Sequence, residues 1–268
     1  MEITSLTVYP IKSCRGIALG EAVVTRRGLA SDRLWMVVDE DGKFLTQRDT
    51  PGLTHVATRF DGDAVVVSAP GAAELRLPLR FDGPRIAVEV WRHRGDGARH
   101  EAGSAWFSAV LGRPASLVRM PDDVDRAVNP AFGRPGDVVS FADGYPILLI
   151  TEESLAGLQA RVAEPLSMRR FRPNVVVRGA PSAHDEDAWR RITLGAAALR
   201  VAKRCDRCVM TTIDPETGAR GKEPLRTLAW YRTERGAVYF GVYLMPDGDG
   251  AVVRAGDEVQ VVERGGGG

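Results

Sequence analysis

Apolar and polar residues alternate in short runs along the first third of the chain, and turn-forming residues separate the runs. Ile3 to Tyr9, Glu21 to Thr25 and Leu34 to Val38 read as strands, followed by the turn Asp39-Glu40-Asp41-Gly42 and a further strand, Lys43 to Gln47. An Asp-Gly step between two such runs is a hairpin signal. Ala64 to Ser68, Glu74 to Leu79 and Arg85 to Trp91 continue the pattern, each bounded by Gly, Pro or Asp. The basic, glycine-rich stretch Arg92 to Gly103 reads as a loop, either solvated or suited to an acidic partner, and Ser104 to Leu111 has helical spacing. The polar stretch Pro121 to Asp143 is long enough to be a candidate lid. Beyond it Ile147 to Ile150 reads as a buried strand. Thr151 caps a helix to about Ala163, with Glu152 and Glu153 in the first turn, where the helix dipole favours acids. Asn174 to Arg178, Ile192 to Lys203, Ala237 to Leu244 and Glu258 to Val262 read as strands, and Glu223 to Tyr231 as a helix.

Many short strands with few helices define a mainly β chain of α+β type and argue for a closed or nearly closed β-barrel with helices at its ends. A doubly wound sheet is disfavoured. The pattern divides into two parts, 1–118 and 119–264, and the terminal glycines 265–268 have nothing to bury and are expected to be a disordered tail. With 268 residues the chain can bury a sizeable core unaided. Its 36 Lys and Arg against 35 Asp and Glu leave no whole-molecule field to recruit nucleic acid or a membrane. The start Met1-Glu2-Ile3 lacks the basic region of a signal peptide, and no apolar run approaches roughly 18 residues, so a cytoplasmic protein is expected.

Three cysteines cannot all pair, which turns attention to Cys205-x-x-Cys208. Structural zinc would need four ligands, but the remaining thiol is Cys14 and the four histidines lack ligand spacing. A redox dithiol should open a helix, whereas Val209 to Ile213 continue a β-type composition. A single ligating thiolate, acidified by Lys203, Arg204 and Arg207, suits a thiophilic metal. Spacing alone does not choose between that and inert packing. Tyr9-Pro10-Ile11-Lys12-Ser13-Cys14-Arg15-Gly16 offers cations, a hydroxyl and turn amides as an anion cradle, or is a solvated turn. Arg33, beside Asp32, either reaches an anion or pairs with its neighbour. In Phe171-Arg172-Pro173-Asn174, proline sets the backbone between an Arg able to fork onto phosphate and an Asn able to read a heterocycle edge, unless it is an ordinary loop-to-strand junction. Tyr243 is by default a wall aromatic.

Taken together, in this order and spacing, these segments resemble the MOSC family, the domain shared by molybdenum cofactor sulfurase C-termini and the amidoxime-reducing components. The resemblance covers nearly the whole chain, and the series Cys205 to Gly218, with its Thr-Thr and Asp-Pro-x-Thr-Gly steps, is its most specific part. It implies a β-barrel MOSC core interlocked with an N-terminal β-rich domain, holding a molybdenum cofactor through Cys208. Lys12, Ser13, Arg33, Arg172 and Asn174 would contact pterin and phosphate, Asp206 and Arg207 would flank the ligand, and Tyr243 would stand near the cofactor. Pyridoxal phosphate is not expected. The implied activity is reduction of small N-hydroxylated substrates (amidoximes, hydroxylamines, N-hydroxylated bases), with Asp214 or solvent as proton source. Because the chain ends without an iron-sulfur domain, a separate electron-transfer protein of ferredoxin, flavin or cytochrome b5 type is expected, and a monomer. The alternative is a non-catalytic carrier of cofactor, or of sulfur on Cys208.

Overall fold

The computed structural model describes residues 1–265, whose strands form a nine-stranded sheet, a four-stranded sheet and two three-stranded sheets. Of the expected glycine tail, 266–268 lie outside the described residues. The principal sheet runs in the order Val259–Arg264, Trp189–Leu194, Ala197–Asp206, Ala237–Pro246, Ile147–Thr151, Val175–Arg178, Glu2–Val8 and Ile17–Leu19, with Thr233–Glu234 beside Ala237–Pro246. Ile147–Thr151 and Val175–Arg178 are parallel. Such a pair needs a long crossover, here made with helix Glu152–Gln159, whose cap Thr151 accepts from the Ser154 amide at 3.1 Å.

All five residues of Ile147–Thr151 are buried, as expected of a strand covered on both faces. Ile147 and Leu149 pack with Leu6, Val8 and Trp189, while Leu148 and Ile150 pack with Leu158, Phe171 and Phe240. The N-terminal strand Glu2–Val8 is a full member of this sheet, pairing antiparallel with Val175–Arg178. Glu21–Thr25 likewise pairs with Val252–Arg254. The two parts of the chain are therefore interlocked. The remainder of the N-terminal part packs two smaller sheets and helix Glu101–Leu111 around Trp35, Leu53, Val65 and Phe107.

The sheets are not closed barrels, which corrects the expectation of closure. The edges of the principal sheet meet only at their ends, where Ile3 N donates to Asp257 O at 3.0 Å and Val259 N to Met1 O at 2.8 Å. Glu2 and Glu258 form an isolated bridge there, not a ladder. Two further differences have local causes. Arg92 to Gly103 is not a loop, since His93–His100 is a strand paired on both sides. Its inward positions include Gly97, where a Cβ would meet Val118 at 2.8 Å, so no large apolar residue marks the alternation. Ile192 to Lys203 is not one strand but a hairpin, Trp189–Leu194 and Ala197–Asp206, turning at Gly195, with apolar residues running through the turn. Lys43 to Gln47 makes only isolated bridges. Pro121 to Asp143 is irregular, yet Val128, Val139 and Phe141 bury it and the Arg126 side chain donates to Ser140 O at 2.8 Å, so it stands as a fixed wall. Among the described residues no helix is long and apolar enough to cross a membrane.

One irregularity in the principal sheet positions the chemistry. Arg204 pairs with Val242 and Asp206 with Tyr239, so Phe240 and Gly241 together oppose Cys205. Such a bulge bends the strand and re-aims its side chains. Gly241 takes φ +77°, and a Cβ there would meet Ile150 Cγ1 at 2.6 Å and Leu149 O at 2.7 Å. Gly241→Ala is therefore expected to lower stability by about 1–3 kcal/mol, read as an earlier urea or thermal midpoint.

Candidate functional site

The strand Ala197–Asp206 leaves the sheet at the bulge, and Arg207 and Cys208 lead into a short 3-10 turn, Val209–Thr212. Cys205 ends buried and Cys208 exposed. Around them lies a cavity of about 100 Å3, which shares Thr46, Arg48, Asp143, Asp206 and Cys208 with a wider cleft of about 1270 Å3. Lys12, Ser13, Arg33, Arg172, Asn174, Asp206, Arg207, Cys208 and Tyr243 all line the inner cavity. Asp214 does not. It accepts from the amides of Glu216 and Thr217 at 2.9 and 3.0 Å and pairs with Arg170 at 2.7 Å. Those bonds, the Thr217 amide first, hold its carboxyl below the ordinary range.

Each wall residue is placed by identifiable contacts. Arg33 both pairs with Asp32, at 2.5 Å, and reaches the cavity, donating to Asn174 Oδ1 at 3.1 Å. Its guanidinium lies 4.3 Å from the Tyr9 ring centre, and that of Arg172 lies 4.1 Å from the same ring. Tyr9 is thus a spacer between two cations, each gaining from the π face. Arg172 also donates to Cys14 O at 2.8 Å, while its Nη2 is shielded from solvent with no hydrogen-bond partner among the described residues. Arg207 donates to Cys205 Sγ at 2.9 Å and Phe171 O at 2.8 Å, and its Nε is similarly shielded and unpaired. Buried donors are rarely left so.

Lys12 is 5 % exposed and bonds Phe141 O at 2.9 Å and the Asp143 carboxylate. Burial pulls its pKa down to about 8, against the opposing pull of Asp143. Burial raises the Asp143 carboxyl, but the charge and hydrogen bond of Lys12, with the bond from Trp91, outweigh it and leave the group below the ordinary carboxylate range. Tyr243 stacks on Tyr145 at 4.8 Å. Ser13, Arg33, Arg172 and the rim residue Trp91 all hold positive φ, 68°, 48°, 55° and 57°. Such backbone costs about 1–3 kcal/mol per residue and gathers at functional sites.

Of the three cations expected to act on Cys208, Arg207 lines the same cavity, while Lys203 is engaged with Asp206 at 2.6 Å and Arg204 with Glu234. Instead Arg48, stacked on Trp91, brings Nη1 to 3.8 Å from Cys208 Sγ. Arg48, Asp143, Trp91 and Tyr145 escaped the sequence reading as site residues, because none lies in a motif: Arg48, Asp143 and Tyr145 arrive from segments lacking regular pattern, and Trp91 stands just past the strand Arg85–Val90. Asn174 spends its side-chain oxygen on Leu148 N and Arg33 and its amide nitrogen on Thr7 O. It organises the wall more than it faces the cavity.

Fold and site together define a β-rich protein whose two halves jointly build a cationic cleft with one exposed thiol at its mouth. Family models describe residues 1–114 as a MOSC N-terminal beta barrel domain and 136–260 as a MOSC domain, and the chain belongs to the MOSC family. It is 31% identical to the Homo sapiens mitochondrial amidoxime-reducing component 1, over 97% of this chain and 82% of that protein. It is 34% identical to the Bos taurus mitochondrial amidoxime reducing component 2, over 96% and 82%. It is also 32% identical to a Solanum lycopersicum molybdenum cofactor sulfurase, over 96% of this chain and 35% of that one.

The lowered pKa of Lys12 gives a signed expectation. Lys12 is cationic below pH about 8 and neutral above it, so anion affinity in the cleft falls as pH rises through that value. Calorimetric titration with inorganic pyrophosphate on both sides of pH 8 reads the effect, and Lys12→Arg, charged throughout, flattens the profile.

Proposed function

We propose that the cleft holds a molybdenum cofactor with Cys208 as the protein's ligand to the metal, and that the protein reduces N-hydroxylated compounds with electrons from a separate donor protein. The observation that carries this reading is the convergence of Lys12, Arg33, Arg172, Arg207 and Cys208, distant in sequence, on one cavity. Family membership and the names of the amidoxime-reducing relatives support the same reading.

The residues fit the group chemically. A phosphate-bearing pterin needs several cationic donors, and the shielded nitrogens of Arg172 and Arg207 need acceptors. Soft, exposed sulfur at the mouth suits a thiophilic metal. Lys12, Ser13 and Arg172 would hold the phosphate end, with Arg33 placed by Asn174 and Asp32. Asp206, Arg207 and Tyr243 would bound the ligand side. When bound, the cofactor supplies the two-electron, oxygen-accepting chemistry. Converting an N–OH group to N–H with release of water consumes two electrons and two protons. Asp214, ionised and engaged with Arg170, acts as a positioning residue, and solvent in the wide cleft is the proton source. The aromatic faces of Trp91, Tyr145 and Tyr243 along that cleft suit flat amidoximes and bases.

A second reading, a carrier of cofactor or of sulfur on Cys208, is favoured by the likeness to the sulfurase. One preparation separates them. Protein purified from cells that make the cofactor is expected to carry stoichiometric molybdenum and pterin and to reduce benzamidoxime with a reduced viologen. Cys208→Ala is expected to lose metal and at least about 100-fold in turnover, while Cys205→Ala changes both only a few-fold. Metal or sulfane sulfur without turnover favours the carrier, and absence of both contradicts both readings.

A further inference from the structure

The motif Lys12-Ser13-Cys14-Arg15-Gly16 is split by the fold. Lys12 and Ser13 face the front cavity, whereas Arg15 and Gly16 line a separate one of about 730 Å3. That back cavity lies between strand Glu2–Val8 and helix Glu152–Gln159, whose residues Thr4, Ser5, Thr7, Leu155 and Ala156 line it. Arg170, Arg172 and Met210 line both spaces, and the back cavity has the size of a small-molecule site.

Its lining has two characters. Leu155, Leu166, Met168, Val176, Met210 and Ile213 make an aliphatic surface. Arg15, Arg169, Arg170 and Arg172 make a cationic one, the first three gathered around the Asp214–Thr217 turn. Arg15 and Arg169 share a single carboxylate, Glu216, at 3.7 Å and at closer contact. Arg170 takes Asp214, and Arg172 has no carboxylate partner among the described residues. Glu152, the one acid in the lining, stands beside Arg178 instead. With Arg172 set aside as a wall of the front cavity, the three guanidiniums of Arg15, Arg169 and Arg170 meet the two carboxylates of Glu216 and Asp214, and a single negative charge balances the excess. Aliphatic wall and surplus cation together describe an amphiphile with an anionic head.

We propose that this back cavity is a binding site for a small aliphatic carboxylate, its head on Arg15 and Arg169 and its chain along Leu155, Leu166 and Met168. A dianion would overshoot the surplus, and an uncharged or cationic amphiphile would leave it unanswered. Arg170 and Arg172 line both cavities, but Arg15, Arg169, Leu155, Leu166 and Met168 do not line the front one, so decanoate binding and molybdenum content are read independently.

The test is calorimetric titration of the purified chain with decanoate, decanol, decylamine and decyl phosphate. Decanoate is expected to bind saturably at one site, at least about tenfold more tightly than each of the others. Ala156→Trp, which places an indole over the opening from an exposed helix position, abolishes binding, and Arg15→Gln weakens it about tenfold. Melting curves confirm that each variant folds, and the comparison of head groups needs no variant. No saturable decanoate binding overturns the site. Equal binding of decanol, or decanoate binding unchanged in folded Ala156→Trp, overturns it too, and tighter binding of decyl phosphate overturns the carboxylate assignment.

Discussion

Asn174 uses every polar group it has to tie three segments together. Its backbone amide donates to Leu148 O and its carbonyl accepts from Thr7 N, both at 2.8 Å. Its side-chain oxygen accepts from Leu148 N and Arg33 Nη1, and its amide nitrogen donates to Thr7 O, each at 3.1 Å. The residue is 2 % exposed, so each broken bond would strand a buried group at a cost of about 1–3 kcal/mol. Thr7 and Arg33 belong to the N-terminal part and Leu148 to the core. Beside the pairing of Glu2–Val8 with Val175–Arg178, this one residue fixes both parts in register where the cleft begins. From Arg33 the order passes to Asp32, to the Tyr9 ring and on to Arg172.

The same arrangement concentrates charge that the fold alone does not neutralise. Lys12, Arg33, Arg48, Arg170, Arg172 and Arg207 line the inner cavity against the carboxylates of Asp143 and Asp206. Burial lowers the pKa of Lys12 and of Arg172, a sign that these cations stand unfavourably in the folded chain. Positive φ at Ser13, Arg33 and Arg172 adds backbone strain at the same place. An anion would relieve the electrostatic part of that cost. The rest of the sheet, with Trp189, Leu194 and Val242 in its dry core, supplies the stability that lets the cleft remain strained.

Much of this was legible in the sequence, for reasons that differ by residue. Ile147–Thr151 and Ala237–Pro246 announce themselves because large apolar residues fill their buried positions. His93–His100 does not, because glycine and alanine occupy its inward face. The hairpin turn at Gly195 is masked by apolar neighbours, and barrel closure fails at a meeting of strand ends that no local pattern encodes. Among the site residues, Lys12, Arg172 and Cys208 sit in compact motifs. Arg48 and Asp143 come from irregular segments and Trp91 from the end of a strand, and they acquire meaning only where the fold brings them together. Asp214 is the converse case: a motif residue outside the inner cavity, whose bonds organise a turn beside the site.

Cys205 and Cys208 illustrate how three residues of spacing can separate two roles. The bulge at Phe240 and Gly241 keeps Cys205 in the core beneath Arg207, and the chain's exit from the strand exposes Cys208 beneath Arg48. On the proposed reading, Cys208 is the one protein side chain that offers sulfur to the metal of a cofactor held by both halves. Molybdenum-edge X-ray absorption on protein purified from cofactor-making cells tests it directly. Loss of one sulfur scatterer in Cys208→Ser, with the spectrum of Cys205→Ala unchanged, is the result expected. An unchanged sulfur shell in Cys208→Ser, or one lost in Cys205→Ala, would contradict it.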